Sequence, residues 1–406
     1  MDKIAAKVLQ LAEQYRDYSA QNLSRLVRIK SLTAGEKEMA AELKKQMADA
    51  GFAQVRLDGL GSVHGRVGTG KRLIAVDAHI DTVDQGNLEN WSEDPFSGRV
   101  ADGFVHGRGS VDQKGGAAAM VTAGRILAEL GVPNDLTVLV TGTVMEEDCD
   151  GLCWKYIIEE EKIRPELVII TEPTALGIYR GHRGRMEMRV SFKGLSAHGS
   201  APERGQNAIY MGSRACLEIE KLNERLKSDD FLGKGSVTVS EFVSGSPSLC
   251  AVADFARIHL DRRLTAGETK ETALAEVRAL VKGMPAAVEV LQYREKAYTG
   301  KEYSMEKYYP TWKLEPDHPA VARAETVFRS LFDKEPRVDK WTFSTNAIAI
   351  TGIHNIPCIG FGPGDEVGAH APNEKVPIDD LVKAAAFYAL YALQWSGTNT
   401  SSAGPR

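Results

Sequence analysis

His79 and Asp81 stand two residues apart in Leu73-Ile-Ala-Val-Asp-Ala-His-Ile-Asp-Thr82, where a mostly apolar run gives way to polar groups. Side chains two apart on a strand share a face, so imidazole and carboxylate point together. They offer two metal ligands, or one ligand whose second ring nitrogen the carboxylate holds in place. The same change of character recurs along the chain. Paired glycines in Val105-His-Gly-Arg-Gly-Ser-Val-Asp112 allow a sharp turn that presents Asp112. Glu146, Glu147 and Asp148 end the run from Asp135 to Met145, Glu172 ends Glu166-Leu-Val-Ile-Ile-Thr171, and His370 follows Ile356-Pro-Cys-Ile-Gly-Phe361 and Gly362-Pro-Gly364. Three acids at one strand mouth are costly unless a positive charge sits there. Neighbouring extended residues point opposite ways, so of Glu146 and Glu147 one can ligate while the other faces a bound water. Together His79, Asp112, Glu147, Glu172 and His370 form a nitrogen and oxygen set suited to two zinc ions, with manganese or cobalt as alternatives and Asp112 bridging.

Such ligands need strands that end on one edge, and open α/β sheets place their sites at the carboxyl edge. The patterning predicts helices over Ile4–Val27 and Glu36–Ala50 with Gly51 as C-cap, and short strands over Ala53–Leu57, Ser62–Val67 and Arg72–Val76. An alanine-rich helix from Gly116 to Leu130 follows the Asp112 turn. Walker and GxGxxG spacings are absent, and Lys114 is misplaced for a phosphate-loop lysine. Gly86 to Ser97 reads as a surface loop of the kind that borders a pocket. Length favours two domains, since 406 residues exceed what one core usually organises. A net charge of −5 without a basic patch, and no apolar run of bilayer length, argue against nucleic acid and membrane as partners. A start without signal-peptide layout and five scattered cysteines point to the cytoplasm, with Cys149 and Cys153 as buried free thiols.

Residues 184–294 read as an insertion with the order βαββαβ, a ferredoxin-like layout. Alternation turns Val190, Phe192, Ile258 and Leu260 inward and Arg189, Ser191, Lys193, His259 and Asp261 outward. The flanking pieces, 1–183 and 295–396, would form the metal-binding domain, and 397–406 a disordered tail.

In this order, His79-x-Asp81, Gly107-Arg-Gly-Ser-Val-Asp112-x-Lys-Gly115, Glu146-Glu147, Glu172-Pro-Thr174 and His370-x-Pro-Asn-Glu374 resemble the M20 metallopeptidase and deacylase family. The resemblance implies a mixed-sheet α/β catalytic domain of zinc-peptidase type with an inserted α+β lid that dimerises. It gives His79 and Glu172 to one zinc, Glu147 and His370 to the other and Asp112 to both, makes Glu146 the general base, and has Asp81 orient His79. Ser196-Ala-His198-Gly-Ser200 matches the lid motif whose histidine enters the partner subunit's site. Asp261-Arg-Arg263 is similar to the position whose arginine holds the substrate carboxylate. Alternation through Ile258 and Leu260 puts Arg262 on the apolar side, so pattern and resemblance differ over Arg262 and Arg263 unless the strand twists or bulges.

Two stretches depart from the family pattern: Gly245-Ser-Pro-Ser-Leu-Cys-Ala251 where several members carry an asparagine, and Ser344-Thr-Asn346-Ala where many have Gly-Thr-Asp-Ala. Both would touch substrate, and both look similar to a subgroup of selenium-metabolism-linked hydrolases. The expected chemistry is hydrolysis of an amide bond in a small carboxylate-bearing substrate, an N-acyl amino acid or short peptide, by a metal-bridging water. Glu146 would carry the proton, His198 would stabilise the oxyanion, and Arg263 with the backbone of Gly362 and Gly364 would hold the carboxylate. The alternatives are an N-carbamoyl or cyclic amide hydrolase and a metal-dependent binding protein without catalysis. A homodimer through the lid, or a higher homo-oligomer, is the expected assembly. The aromatic stretch Tyr298 to Leu314 could be a pocket wall or a packed linker.

Overall fold

The apolar runs become the parallel centre of a nine-stranded mixed sheet in the computed structural model, which describes residues 3–395. The expected tail at 397–406 lies outside the described residues. Across the sheet the neighbours are Ala53–Leu57, Val63–Val67, Leu136–Thr143, Arg72–His79, Leu167–Ile170, Cys358–Gly360, Ile178–His182 and Trp312–Lys313, with Val338–Trp341 also beside Ile178–His182. The four central strands are mutually parallel, with His79 opposite Thr143, Asp77 opposite Ile170, and Ile170 opposite Gly360. Their carboxyl ends therefore finish on one edge, and the segments that follow them converge there.

Helix Lys114–Leu130 packs on the Arg72–His79 strand and against the C-terminal helix Ile378–Gln394. Gly116 lets the same helix pass closely over the end of strand Leu167–Ile170: a Cβ there would lie 2.1 Å from the Thr171 hydroxyl and 2.8 Å from its carbonyl oxygen. The single N-terminal helix expected over Ile4–Val27 is two, Lys3–Gln14 and Arg16–Val27. The chain turns at Tyr15, whose ring stacks with Arg125 and whose hydroxyl donates to Glu129 of the neighbouring helix. Here a tertiary contact overrides local propensity. Gly51 closes Lys37–Asp49 with φ +86°, as a C-cap glycine does.

The insertion forms a second, antiparallel sheet in the order Ser236–Gly245, Phe255–Leu264, Gly184–Lys193, Ala286–Val290. Helices Ala208–Glu224 and Lys270–Leu280 cover one face and share a separate core with Met186, Met188, Val190, Phe192, Ile258 and Leu260. Asn207 caps the first helix through the amides of Ile209 and Tyr210, and Thr269 with Thr272 forms a capping box on the second. The stretch from Tyr298 to Leu314 packs as a linker. Tyr308–Tyr309 adds to the second sheet beside Arg185 and Met186, Trp312–Lys313 adds to the first, and Tyr303 meets Tyr156 edge-on at 5.2 Å.

Register resolves the two arginines. Phe255–Leu264 pairs with Gly184–Lys193 without a shift, so Arg262 stays on the helix-covered face, where Glu268 and Glu276 neutralise it. Arg263 faces away from that core, and the cleft between the two sheets lies on its side. The expectation that pattern and resemblance conflict assumed a cleft on the apolar face. No twist or bulge of this strand is needed.

Candidate metal centre

Each strand end contributes a side chain whose direction the backbone fixes. His79 is the last residue of its strand and is buried, and its Nδ1 donates to the Asp81 carbonyl at 3.0 Å, which leaves Nε2 free to ligate. The Asp81 carboxylate lies 3.5 Å from the same nitrogen. It also accepts from the amides of Glu146 at 3.2 Å and Glu147 at 3.1 Å and from the Thr33 hydroxyl at 2.9 Å, so it ties two strand ends together. Met145, with φ +62°, turns the chain sharply before Glu146. Asp112 is held by its own amide: the buried Glu374 carboxylate accepts from Asp112 N, Val111 N, Gly109 N and the Arg108 guanidinium.

Two triads result, His79–Asp112–Glu172 and Asp112–Glu147–His370, each with ligand atoms within 4.8 Å of one another. Asp112 belongs to both and divides its oxygens between them. Oδ1 is 2.9 Å from His79 Nε2, and Oδ2 is 3.3 Å from His370 Nε2. Glu172 Oε1 is 3.6 Å from His79 Nε2, and Glu147 Oε2 is 3.0 Å from His370 Nε2. Glu146 lies beside the first triad, its Oε2 4.0 Å from His79 Nε2, and belongs to neither.

The charges show what the cluster requires. Burial, with the charge of Asp112 next, pushes the Glu172 carboxyl well above its ordinary range. Burial does the same to Glu146, with His79 opposing and Asp150, Glu172 and Glu147 adding to it. Glu147 is pushed up to about 7 by burial and by Asp112. Asp112 alone falls well below the carboxylate range: burial opposes this, but hydrogen bonds from His370 and His79 outweigh it. Hydrogen bonds to Asp112 and Glu147 raise His370 to about 10, against the opposing effect of burial. Glu146 Oε1 and Glu172 Oε2 are buried without a hydrogen-bond partner among the described residues. Packed carboxylates with orphaned oxygens and two imidazole nitrogens fit a pair of divalent cations, which would supply the missing positive charge.

Residues 75–394 match Peptidase family M20/M25/M40. The chain belongs to this family. The uncharacterized protein YgeY of Escherichia coli (strain K12) is 51% identical over 393 residues, 96% of this chain and 98% of that one. An acetylornithine deacetylase of Pectobacterium carotovorum subsp. carotovorum (strain PC1) is 28% identical over 319 residues, 77% of each chain. The fold is similar to that of the Bacillus subtilis YXEP protein, described as a dinuclear metal-binding peptidase from the M20 family. The TM-score is 0.67 at 12% identity, over 94% of this chain and 98% of that one. As an M20 member, the chain is a metal-dependent hydrolase of the peptidase and deacylase class.

In this M20 chain a cavity of about 300 Å³ opens onto the centre, lined by Asp112, Glu146, Glu147, Glu172 and His370 on one side and by Arg185, Arg263, Asp150, Ser344, Phe343 and Glu366 on the other. Several expected substrate residues are elsewhere. Asn346 is a correction: it is buried outside the cavity, where its Oδ1 accepts from Gly151 N and its Nδ2 donates to Asp77 and Thr143. Gly362 and Gly364 are corrected too, because their amides are already committed to Thr174 and Asp380. A Cβ at Gly362 would lie 2.0 Å from the Glu172 carbonyl oxygen, so this glycine lets the two strand ends pass closely. His198 is exposed, paired with Ser200 and outside the cavity of its own chain. Loop 86–97 borders a separate hollow near Asn373, with Trp91 against Arg108. Lys114 is internal, its amine donating to the Leu26 and Ile29 carbonyls and pushed down to about 7 by burial.

Sequence reasoning did not assign Glu374, Asp150 or Arg185. Glu374 stood inside a quoted motif, and a carboxylate four residues after a ligand was its only signal. Asp150 and Arg185 carried none, since what gives them meaning is a contact between distant segments.

Proposed function

We propose that this chain hydrolyses the amide bond of a small substrate bearing a free carboxylate, an N-acyl amino acid or a short peptide, at a dinuclear centre. The observation that carries this reading is the division of the Asp112 oxygens between two triads, with Glu146 beside them and outside both. His79 and Glu172 would hold one ion, Glu147 and His370 the other, and Asp112 both. Zinc suits the donor set best, with manganese or cobalt as alternatives. When bound there, such ions would supply Lewis-acid polarisation of a carbonyl and acidification of water, a class of effect that can lower its pKa from 15.7 to about 7. Glu146 lines the cavity and has a buried oxygen without a hydrogen-bond partner among the described residues, which suits it to take a proton from water and return it to the leaving amine. A pure binding protein would have no need of such a carboxylate. Arg263 would hold the substrate carboxylate from across the cavity.

His198 would act in the active site of a second copy, donating a hydrogen bond to the developing oxyanion. Support comes from its exposure in the loop between strand Gly184–Lys193 and helix Ala208–Glu224, and from the inserted sheet's edge strand Ser236–Gly245, which pairs on one side only among the described residues. An unpaired edge can join its own copy across a two-fold axis. The inserted domain would then be both lid and dimer contact. The five cysteines are free thiols, which supports the cytoplasm as the compartment. No helix among the described residues is long and apolar enough to cross a membrane.

The test is a screen of the metal-reconstituted protein against N-acyl amino acids, dipeptides and N-carbamoyl amino acids. Hydrolysis in the first two classes is expected. Turnover confined to the carbamoyl compounds would redirect the substrate class, and no amide hydrolysis with both metals bound would contradict the proposal.

A further inference from the structure

We propose that Arg185 is the second arm of a carboxylate clamp whose first arm is Arg263, and that Asp150 and Ser344 are positioning residues for it. The proposal rests on the reading of the centre as an amidohydrolase site and specifies how its substrate is gripped. Arg185 and Arg263 are directly opposite each other on adjacent antiparallel strands. Side chains so placed have Cβ atoms roughly 4.5–5.5 Å apart, and like charges there are destabilising. Both nonetheless line the cavity that holds Glu146 and His370. An anion between the two guanidinium groups would turn that repulsion into binding.

Each arginine is anchored by acidic neighbours, and for Arg185 these include Glu187, 3.9 Å from its Nη2. Asp261 engages Nε and Nη2 of Arg263 at 2.8 and 3.0 Å. Asp150 engages Nη2 of Arg185 at 3.3 Å, and the Tyr309 ring stacks against that guanidinium at 4.5 Å. The Nη1 group of neither arginine makes a hydrogen bond among the described residues, and Nε of Arg185 is buried without a partner. Two planar forks with spare donors suit the two oxygens of one carboxylate.

The support behind Arg185 is built in. Asp150 is buried, its second oxygen accepts from the Ser344 hydroxyl, and Gly151 N is pinned by Asn346 at 2.9 Å. Ser344 and Asn346 belong to the stretch in which this chain departs from the family pattern. Their contacts connect that departure to the aim of Arg185.

The experiment measures binding to the metal-loaded Glu146→Ala protein, by calorimetry, of N-acetyl amino acids and of their carboxamides, which lack the negative charge. The clamp predicts tighter binding of the acids. Arg185→Gln should weaken acid binding about tenfold while changing carboxamide binding less than about twofold, since a charge-assisted hydrogen bond is lost only for the acid. Arg185→Lys should recover part of the loss, and Ser344→Ala should weaken acids roughly threefold in the same selective way. Equal weakening of acid and carboxamide by Arg185→Gln, no weakening of either, or failure of the parent to prefer acids would overturn the clamp. Acid-selective binding without amide hydrolysis by the protein carrying Glu146 would support the clamp and contradict the proposed reaction.

Discussion

The carboxyl edge of the central sheet and the cleft-facing side of the inserted sheet both gather charge, in opposite ways. At the first, Glu146, Glu147, Glu172 and Asp112 crowd together around the imidazoles of His79 and His370. At the second, signs alternate along the strands: Arg263 stands opposite Arg185, and Asp261 opposite Glu187 two residues on. The first arrangement is incomplete without cations from outside, since burial and mutual repulsion both oppose its ionised form. The second is largely neutralised by its own residues and leaves a few donors free, which suits it to selecting a substrate. An uncompensated cluster points to a cofactor, and a compensated wall with spare donors points to a ligand.

The largest effect should come from separating the adjacent acids at the metal edge. Glu146→Ala should keep both metals and the fold while lowering kcat roughly 10²–10⁴-fold, because it removes a proton carrier and no ligand. Glu147→Ala should lose one metal selectively, as elemental analysis would show. Reversed metal contents would break the distinction between the two side chains.

Next in size is the effect expected if His198 acts in a neighbouring site, as proposed. His198→Ala homodimers should lose about 10²–10³ in kcat if an oxyanion donor is removed. Mixed dimers of His198→Ala with Glu146→Ala, isolated by two tags, contain one site with both groups and should recover up to about half the parent rate. No recovery would place the histidine in its own subunit's site, and a monomer in solution would remove the shared-site proposal.

The smallest pair of effects separates the two arginines by kind. Arg262 and Glu268 form a buried ion pair, with side chains 1% and 3% exposed. Arg262→Ala should therefore cost about 3–5 kcal/mol of stability in chemical denaturation, by leaving Glu268 uncompensated. Arg263 is part-exposed and paired to a part-exposed Asp261, so Arg263→Ala should change stability by less than about 1 kcal/mol and instead raise KM for carboxylate substrates. A larger KM effect at Arg262 would reverse the assignment of the cleft face.

The two regions also differ in how far they could be read from sequence. His79, Glu146, Glu147 and Glu172 were legible because each sits where an apolar run stops, and strand ends of a parallel sheet meet without further information; Asp112, in a glycine turn before helix Lys114–Leu130, and His370, ten residues beyond Gly360, come from loops that the fold brings to that edge. The inserted sheet was legible as alternation, which separates Arg262 from Arg263 but does not say which face meets the cleft. Asn346 was misplaced because its neighbours suggested a substrate contact, whereas three strand-end and loop segments consume its amide. Gly362 and Gly364 looked like open backbone donors, and only the fold shows Thr174 and Asp380 already there. Glu374 and Arg108 are 266 residues apart, and no local pattern anticipates that contact.

The most direct test of the central claim, a centre shared through Asp112, is the metal content of the purified protein after reconstitution. The account predicts about two divalent ions per chain. A firm value of one, unchanged by added zinc, manganese or cobalt, would contradict it.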